Sequence, residues 1–301
     1  MVERLNFDDQ ITANKLKSVL LMIAIVLVFA VLGYVIALIW NPAEFFLIMV
    51  VAIVFSLGYT LLSYYFSDKI ALASVRAKPA SHSLHKGLYN AVENMSLASG
   101  LPMPKVYVME SAEINAFASG RNPENAIICV TTGTLQKLNK EELEGVVAHE
   151  MSHIANYDIR FMTLTTVIVG MIAIISEVYL RSLWFKSGED RDNKAGAILM
   201  IVGIVIAILA PILVQLISLA ISRKREFGAD ATGVKFTRYP KGLANALRKI
   251  KHEHVPADET KKHYNKALAP LFISDPFKRR FQDLFSTHPN IDERIERLEK
   301  M

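Results

Sequence analysis

The chain contains 301 residues, of which 52% are hydrophobic and 21% are charged, and its formal net charge is +5. These averages lie near those of soluble domains, but the apolar residues concentrate in four blocks, which argues against a simple soluble globule and against a disordered chain. The only cysteine, Cys129, excludes an intramolecular disulfide framework and a cysteine-rich metal site. Much of the positive charge flanks the apolar blocks, which indicates membrane orientation rather than nucleic-acid binding.

The first two apolar blocks, residues 18–40 and 45–66, contain no charged residue. Each exceeds the roughly 20 residues that cross a ~30 Å hydrocarbon layer as a helix. Only residues 41–44 connect the blocks, so they are predicted to form an antiparallel hairpin of transmembrane helices. A cleaved signal peptide is the alternative for the first block, but its apolar core is too long and no A-x-A site follows it.

Two further apolar blocks, residues 161–180 and 195–221, are predicted to form a second pair of transmembrane helices. Pro211 lies inside the fourth block and is expected to kink its helix. Glu177 lies near the end of the third block. It is either a functional group inside the membrane or a side chain that reaches the interface and pairs with Arg181 one turn later.

Lysine and arginine residues mark the sides of these helices. The loop at 41–44 has none, whereas positive residues flank the opposite ends of the first, second and fourth blocks: Lys15, Lys17, Lys69, Arg76, Lys78, Arg223, Lys224 and Arg225. Because positively charged loops are retained in the cytoplasm, both termini and the segment 67–160 are predicted to be cytoplasmic.

The chain is therefore predicted to be a mainly α membrane protein with four transmembrane helices and a cytosolic α+β domain. The N-terminal hairpin occupies residues 1–66, the second transmembrane pair 161–222, and the two parts of the cytosolic domain 67–160 and 223–301. Patterns in the polar segments predict helices at 83–99 and 290–300, strands at 105–109, 114–118 and 126–131, and a surface loop at 251–266. Asn139 is predicted to begin another helix, because Glu142 follows at the spacing of a capping box.

The helix that begins at Asn139 carries the pattern His-Glu-Met-Ser-His at residues 149–153. Residues four apart lie one turn apart on the same helix face, so His149 and His153 can both reach one Zn²⁺ at ~2.0–2.1 Å. Glu150 lies next to that face and is predicted to be the general base of a metalloprotease. The alternative is a pair of surface histidines on an amphipathic helix.

A catalytic zinc site needs a third protein ligand, and Glu226 follows the fourth apolar block. Asp230 lies one turn later, where it can accept a hydrogen bond from a ligating histidine. Two predicted spans separate Glu226 from His153, and an even number returns the chain to the same side of the membrane. The alternative is that both carboxylates are ordinary polar residues after a span.

Taken together, the four spans, the histidine motif, the stretch Arg-Glu-Phe-Gly-Ala-Asp at 225–230 and Ser-Thr-His-Pro at 286–289 resemble the HtpX-type membrane zinc metalloproteases. This family is related to the CAAX prenyl proteases. The resemblance implies a zincin-like domain, one Zn²⁺ per chain on His149, His153 and Glu226, and a catalytic Glu150. It also implies a stress-response protease of the bacterial inner membrane that degrades misfolded or damaged membrane proteins.

Two further elements follow from the resemblance. The family has an edge strand that binds extended substrate, and it is matched by Asn115, Ala116, Phe117 and Ala118. A core strand with Phe117 packed inward is the alternative. His288 matches a family histidine that can stabilise the oxyanion, or it is a turn residue before Pro289.

The predicted partners are polypeptide substrates and the lipid bilayer, with no nucleic acid. Two alternative functions remain open at this point. One is a non-catalytic membrane scaffold or chaperone whose zinc is structural, although such a site has no need of Glu150. The other is a processing protease for lipidated peptides, which requires a large chamber in the membrane.

Overall fold

A computed structural model describes the chain over residues 7–40, 45–165, 203, 223–253, 271–273 and 289–301. Most of the predicted second transmembrane pair lies outside these residues, including Glu177, Arg181 and Pro211. His288 and the greater part of the predicted loop at 251–266 also lie outside them. The prediction of four transmembrane helices therefore stays a prediction.

Two long helices form the N-terminal part. Helix α1 spans Phe7–Trp40 and helix α2 spans Phe45–Tyr65. In the described part of the chain, α2 is the one helix that is long and apolar enough to cross a membrane, with a mean hydropathy of 2.5. Its large apolar side chains are exposed, whereas its buried residues are the polar Ser56, Thr60 and Ser63. This reversal of the usual burial is typical of a helix that faces lipid.

A four-stranded sheet forms one layer of the remaining structure. Its strands are β1 (Lys78–Pro79), β2 (Lys105–Met109), β3 (Ala116–Gly120) and β4 (Ala126–Thr131), arranged in the order β1-β2-β4-β3. β2 and β4 run parallel and confirm the predicted bounds, and β3 runs antiparallel to β4. The strand predicted at 114–118 lies two residues later, at Ala116–Gly120, because the Asn115 N–H donates to the Thr131 and Thr134 hydroxyls rather than to a strand carbonyl.

Seven helices accompany the sheet in the described residues: α3 (Ser67–Ser74), α4 (Lys86–Ser99), α5 (Thr132–Lys137), α6 (Lys140–Ala155), α7 (Arg223–Thr237), α8 (Pro240–His252) and α9 (Ile291–Glu299). Helix α6 lies at the centre, in contact with α4, α7, α8 and β3. The predicted helices at 83–99 and 290–300 are confirmed with slightly shorter ends. α6 and α8 approach closely at Gly145, where a Cβ would lie 2.5 Å from the Leu243 nitrogen.

Candidate metal centre

Helix α6 holds the histidine motif in a fixed position inside the protein. The predicted capping box is confirmed: the Asn139 side chain accepts from the Glu142 N–H, and the Glu142 carboxylate accepts from the Asn139 N–H. These bonds satisfy two amide groups that have no partner within the helix. His149, Glu150 and His153 are all buried, so the alternative of two surface histidines is wrong.

Helix α7 brings two carboxylates against α6. A Cβ on Gly233 would lie 3.1 Å from the His149 backbone nitrogen, so the absence of a side chain there permits the close approach of the two helices. The preceding turns of α7 then place Glu226 and Asp230 beside the histidines, and both carboxylates are buried. They are therefore not ordinary exposed polar residues.

Three side chains converge at the centre of the site. The Nε2 atoms of His149 and His153 lie 3.2 Å apart, and the Glu226 oxygens lie 3.7 Å and 3.6 Å from those two nitrogens. One donor atom from each residue falls within 4.8 Å of the others. Ligands held tetrahedrally at ~2.0–2.1 Å from zinc lie about 3.3 Å from one another. The donor set and its spacing therefore fit a zinc ion.

Each histidine is held from its far side by a carboxylate. The Nδ1 atom of His149 lies 3.0 Å from Asp230, and that of His153 lies 3.0 Å from Asp158. An Nδ1–H that donates to a carboxylate leaves the Nε2 lone pair available. Both lone pairs then point at the same position beside Glu226, which is the arrangement that a divalent cation requires.

Asp158 is a part of this site that sequence reasoning missed. It follows Tyr157, whose φ of 58° turns the chain sharply after α6 and returns it toward His153. The Asp158 carboxylate also accepts from the Asn14 side chain at 2.7 Å and pairs with Arg225 at 3.1 Å. A local pattern offers no signal for this contact, because the turn and two distant helices create it.

Arg294 is the second residue that sequence reasoning missed. It is fully buried and donates to both oxygens of Asp230, from Nε at 2.9 Å and from Nη2 at 2.7 Å. Its Nη1 atom lies 3.5 Å from Glu226. A signal was present in the sequence, since Arg294 falls on the same face of α9 as the apolar Ile295 and Leu298.

The buried charges shift one another's protonation. Burial raises the pKa of Glu150 to about 7, and the nearby Glu226 carboxylate adds to this effect. Burial opposes protonation of His153, but Asp158 and Glu226 outweigh it and raise the pKa of His153 to about 9. Burial lowers the pKa of His149. Burial alone would raise the pKa of Asp230, but Arg294 holds it below its usual value.

The predicted substrate strand lies next to the centre. β3 is the last strand in the sheet order, and the Ala118 backbone forms a hydrogen bond with Glu150. The Phe117 side chain packs inward against Cys129 and Phe272, as the core-strand alternative expects. An inward Phe117 and an outer backbone edge are compatible, because side chains and peptide groups of a strand point in different directions.

Comparisons with known proteins agree with this geometry. The family model "Peptidase family M48" matches residues 82–301. The chain belongs to peptidase family M48. Within this family, it is 48% identical to a protease HtpX homolog of Thermoanaerobacter pseudethanolicus, over 84% of each chain. It is 41% identical to a protease HtpX homolog of Dictyoglomus thermophilum, over 98% of this chain and 95% of the relative.

A solved structure shares the fold of this M48 chain. The crystal structure of S. mikatae Ste24p superposes with a TM-score of 0.51 at 19% sequence identity, over 96% of this chain. The match spans 66% of the Ste24p chain. The M48 chain is thus a zinc-dependent metalloprotease with a mostly helical fold, and its substrates are polypeptides.

Proposed function

We propose that the protein is a membrane-bound zinc endopeptidase that hydrolyses misfolded or damaged membrane proteins. One observation carries the proposal: two buried imidazoles and a buried carboxylate converge beside Glu150, which in turn bonds to β3. In this proposal His149, His153 and Glu226 hold the zinc, and Asp230 and Asp158 orient the two histidines. Zinc, when bound, polarises the scissile carbonyl and acidifies the attacking water.

The remaining steps belong to residues of the chain. Glu150 takes a proton from the attacking water and later returns it to the leaving amine. The Ala118 backbone bond fixes the Glu150 carboxylate relative to β3, so the base keeps its position while a peptide lies along that strand. Arg294 holds Asp230 in place and balances the buried negative charges. His288 remains a proposed oxyanion donor.

Placement at the membrane supports the choice of substrate. Helix α1 runs from the metal centre, where Asn14 bonds to Asp158, into the apolar residues 18–40. The active site therefore lies close to the end of the proposed transmembrane hairpin. We place four spans in the bacterial inner membrane, with both termini and the two parts of the protease domain, 67–160 and 223–301, on the cytoplasmic side. An active site next to the cytoplasmic surface of the membrane is suited to polypeptide segments that emerge from the bilayer.

The two alternative functions, a scaffold with a structural zinc and a protease for lipidated peptides, make different demands on the site. A structural zinc in a scaffold has no use for a buried glutamate beside its ligands, yet Glu150 occupies that position. A protease for lipidated peptides requires a chamber for the lipid chain. Offering a prenylated peptide and an unfolded membrane protein to the same preparation separates these two substrate classes, and we expect preference for the unfolded protein.

The decisive test of the proposed function compares two glutamates of α6. Glu150→Gln preserves shape but removes the base, and we expect casein hydrolysis in detergent to fall by about 10²–10⁴-fold while zinc content is retained. Glu144→Gln is the matched control, because Glu144 lies on the same helix and its carboxylate accepts a hydrogen bond from the Asn94 side-chain amide in an exposed pair. Substantial hydrolysis by the Glu150→Gln protein would refute the proposed role.

A further inference from the structure

The backbone of β3 has two sides with different partners. Toward β4, the Asn115 carbonyl accepts from the Thr131 N–H at 3.0 Å. On the opposite side, which we call the outer edge, the Ala116 carbonyl accepts from the Ile273 N–H at 3.0 Å. The Ala118 backbone, two residues further along this edge, bonds to Glu150. The outer edge therefore connects the catalytic base with a segment that is distant in sequence.

This distant segment, residues 271–273, contacts β3 through an isolated β-bridge. Phe272 pairs with Phe117 in an antiparallel bridge, and their rings meet edge to face with centroids 5.2 Å apart. Leu271, Phe272 and Ile273 are all buried. The Ile273 carbonyl also accepts from Arg294 at 3.4 Å. Both backbone polar groups of Ile273 are thus bound, one by the substrate strand and one by the residue that holds Asp230.

An extended substrate needs the same edge. A peptide that adds to β3 binds through main-chain groups that alternate along the outer edge, and the Ala116 carbonyl is the acceptor next to the Glu150-bound Ala118. The Ile273 N–H already occupies that acceptor. A substrate cannot form the same bond while residues 271–273 remain in place.

We propose that residues 271–273 are an internal pseudosubstrate segment, which a polypeptide must displace from the outer edge of β3 before it can be cleaved. This inference rests on the proposed function of β3 as the substrate strand. The apparent affinity for a substrate equals its affinity for the open edge multiplied by the fraction of molecules whose edge is open. Extended chains that replace both the main-chain bond and the Phe272 contact are therefore favoured over short polar peptides.

A reversible lock tests the proposal directly. Paired residues of antiparallel strands have Cα atoms about 4.5–5.5 Å apart, which suits a disulfide. Phe117→Cys and Phe272→Cys are combined in a Cys129→Ala background, since Cys129 lies opposite Phe117 on β4. Glu150→Gln is added, so that binding of labelled, unfolded casein is measured without cleavage. We expect the oxidised protein to bind casein at least about tenfold more weakly than the same protein reduced by a phosphine.

A verified disulfide that leaves casein binding unchanged would overturn the proposal. Because this readout needs no hydrolysis, its failure is distinguishable from failure of the proposed catalytic role, which the Glu150→Gln activity comparison decides.

A second pair of variants releases the segment instead of locking it. Ile273→Pro removes the N–H that occupies the Ala116 carbonyl, and Ile273→Val keeps it as the matched control. We expect the proline variant to lower the KM for casein several-fold with kcat little changed, and the valine variant to match the wild type. An unchanged or raised KM in a zinc-loaded proline variant would show that the segment builds the site rather than blocks it.

Discussion

The α1–α2 hairpin and the unit around α6 bury their residues in opposite ways. In α2, Ser56, Thr60 and Ser63 are inside and the large apolar side chains are outside. In α6, histidines and glutamates are buried together with the apolar core. An apolar solvent explains the first pattern, and a set of mutually compensating charges explains the second. Burial in this protein therefore follows the surroundings of each region rather than residue type alone.

The two regions meet at one polar contact. Asn14 of α1 donates to Asp158 at 2.7 Å and to the Asn156 carbonyl at 3.0 Å, and Lys15 stacks on Tyr157. The contact lies before the apolar part of α1 and directly behind His153. Anchoring of α1, a proposed membrane helix, and orientation of His153, a proposed metal ligand, thus depend on the same carboxylate.

The largest expected effect is on the buried charges. Arg294→Met leaves Asp230 and Glu226 without their buried cation and should lower the free energy of unfolding by about 3–5 kcal/mol. Lys300→Met, directly after α9, removes an exposed pair with Glu296 and should cost less than about 1 kcal/mol. Denaturant unfolding in detergent measures both changes, and equal losses would contradict this account of the charges.

The next effect concerns the hairpin. Val54 lies in the middle of α2 and is 64% exposed. If that surface faces lipid, Val54→Lys should disfavour membrane insertion by about 2.5–3.5 kcal/mol, whereas a lysine on a water-exposed surface would be harmless. Carbonate-resistant membrane association measures insertion, with Ser56→Ala on the buried face as the control. Full insertion of the lysine variant would argue against a lipid-facing α2.

A smaller effect is expected at the contact between the regions. Asp158→Asn removes the charge that orients His153, and zinc binding should weaken by about 10–100-fold. Asp292→Asn, an exposed aspartate on α9, is the control and should bind zinc as the wild type does. Competition with a chromophoric chelator measures both affinities. Wild-type affinity in the Asp158 variant would mean that His153 needs no such support.

The sequence predicts the parts of the site that depend on local spacing. The helix at Asn139, its cap and the shared face of His149 and His153 follow from fixed offsets along one helix. Glu226 was predicted by a different argument, since an even number of predicted spans between it and His153 returns the chain to the same side of the membrane. The start of α1 at Phe7 could not be predicted from the sequence. Its first turns are polar, and the contact at Asn14 holds them, so a hydropathy pattern does not reveal them.

Two site residues, Asp158 and Arg294, were not predicted from the sequence, and each omission has a physical reason. Asp158 reaches His153 only through a left-handed turn at Tyr157, a conformation that no local pattern indicates for tyrosine. Arg294 is buried by its ion pair with Asp230, which comes from a helix far away in sequence. The sequence does place Arg294 on the apolar face of a short terminal helix, and a charged residue in such a position indicates a buried partner of opposite charge.

Metal analysis of the purified protein tests the central claim most directly, namely that the three converging side chains hold one zinc ion. Zinc content is measured for the wild type, for Glu150→Gln and for Glu226→Ala after dialysis against a mild chelator. The account predicts about one zinc per chain in the first two proteins and less than about a tenth of that in the third. Full zinc occupancy in Glu226→Ala, or none in the wild type, would contradict it.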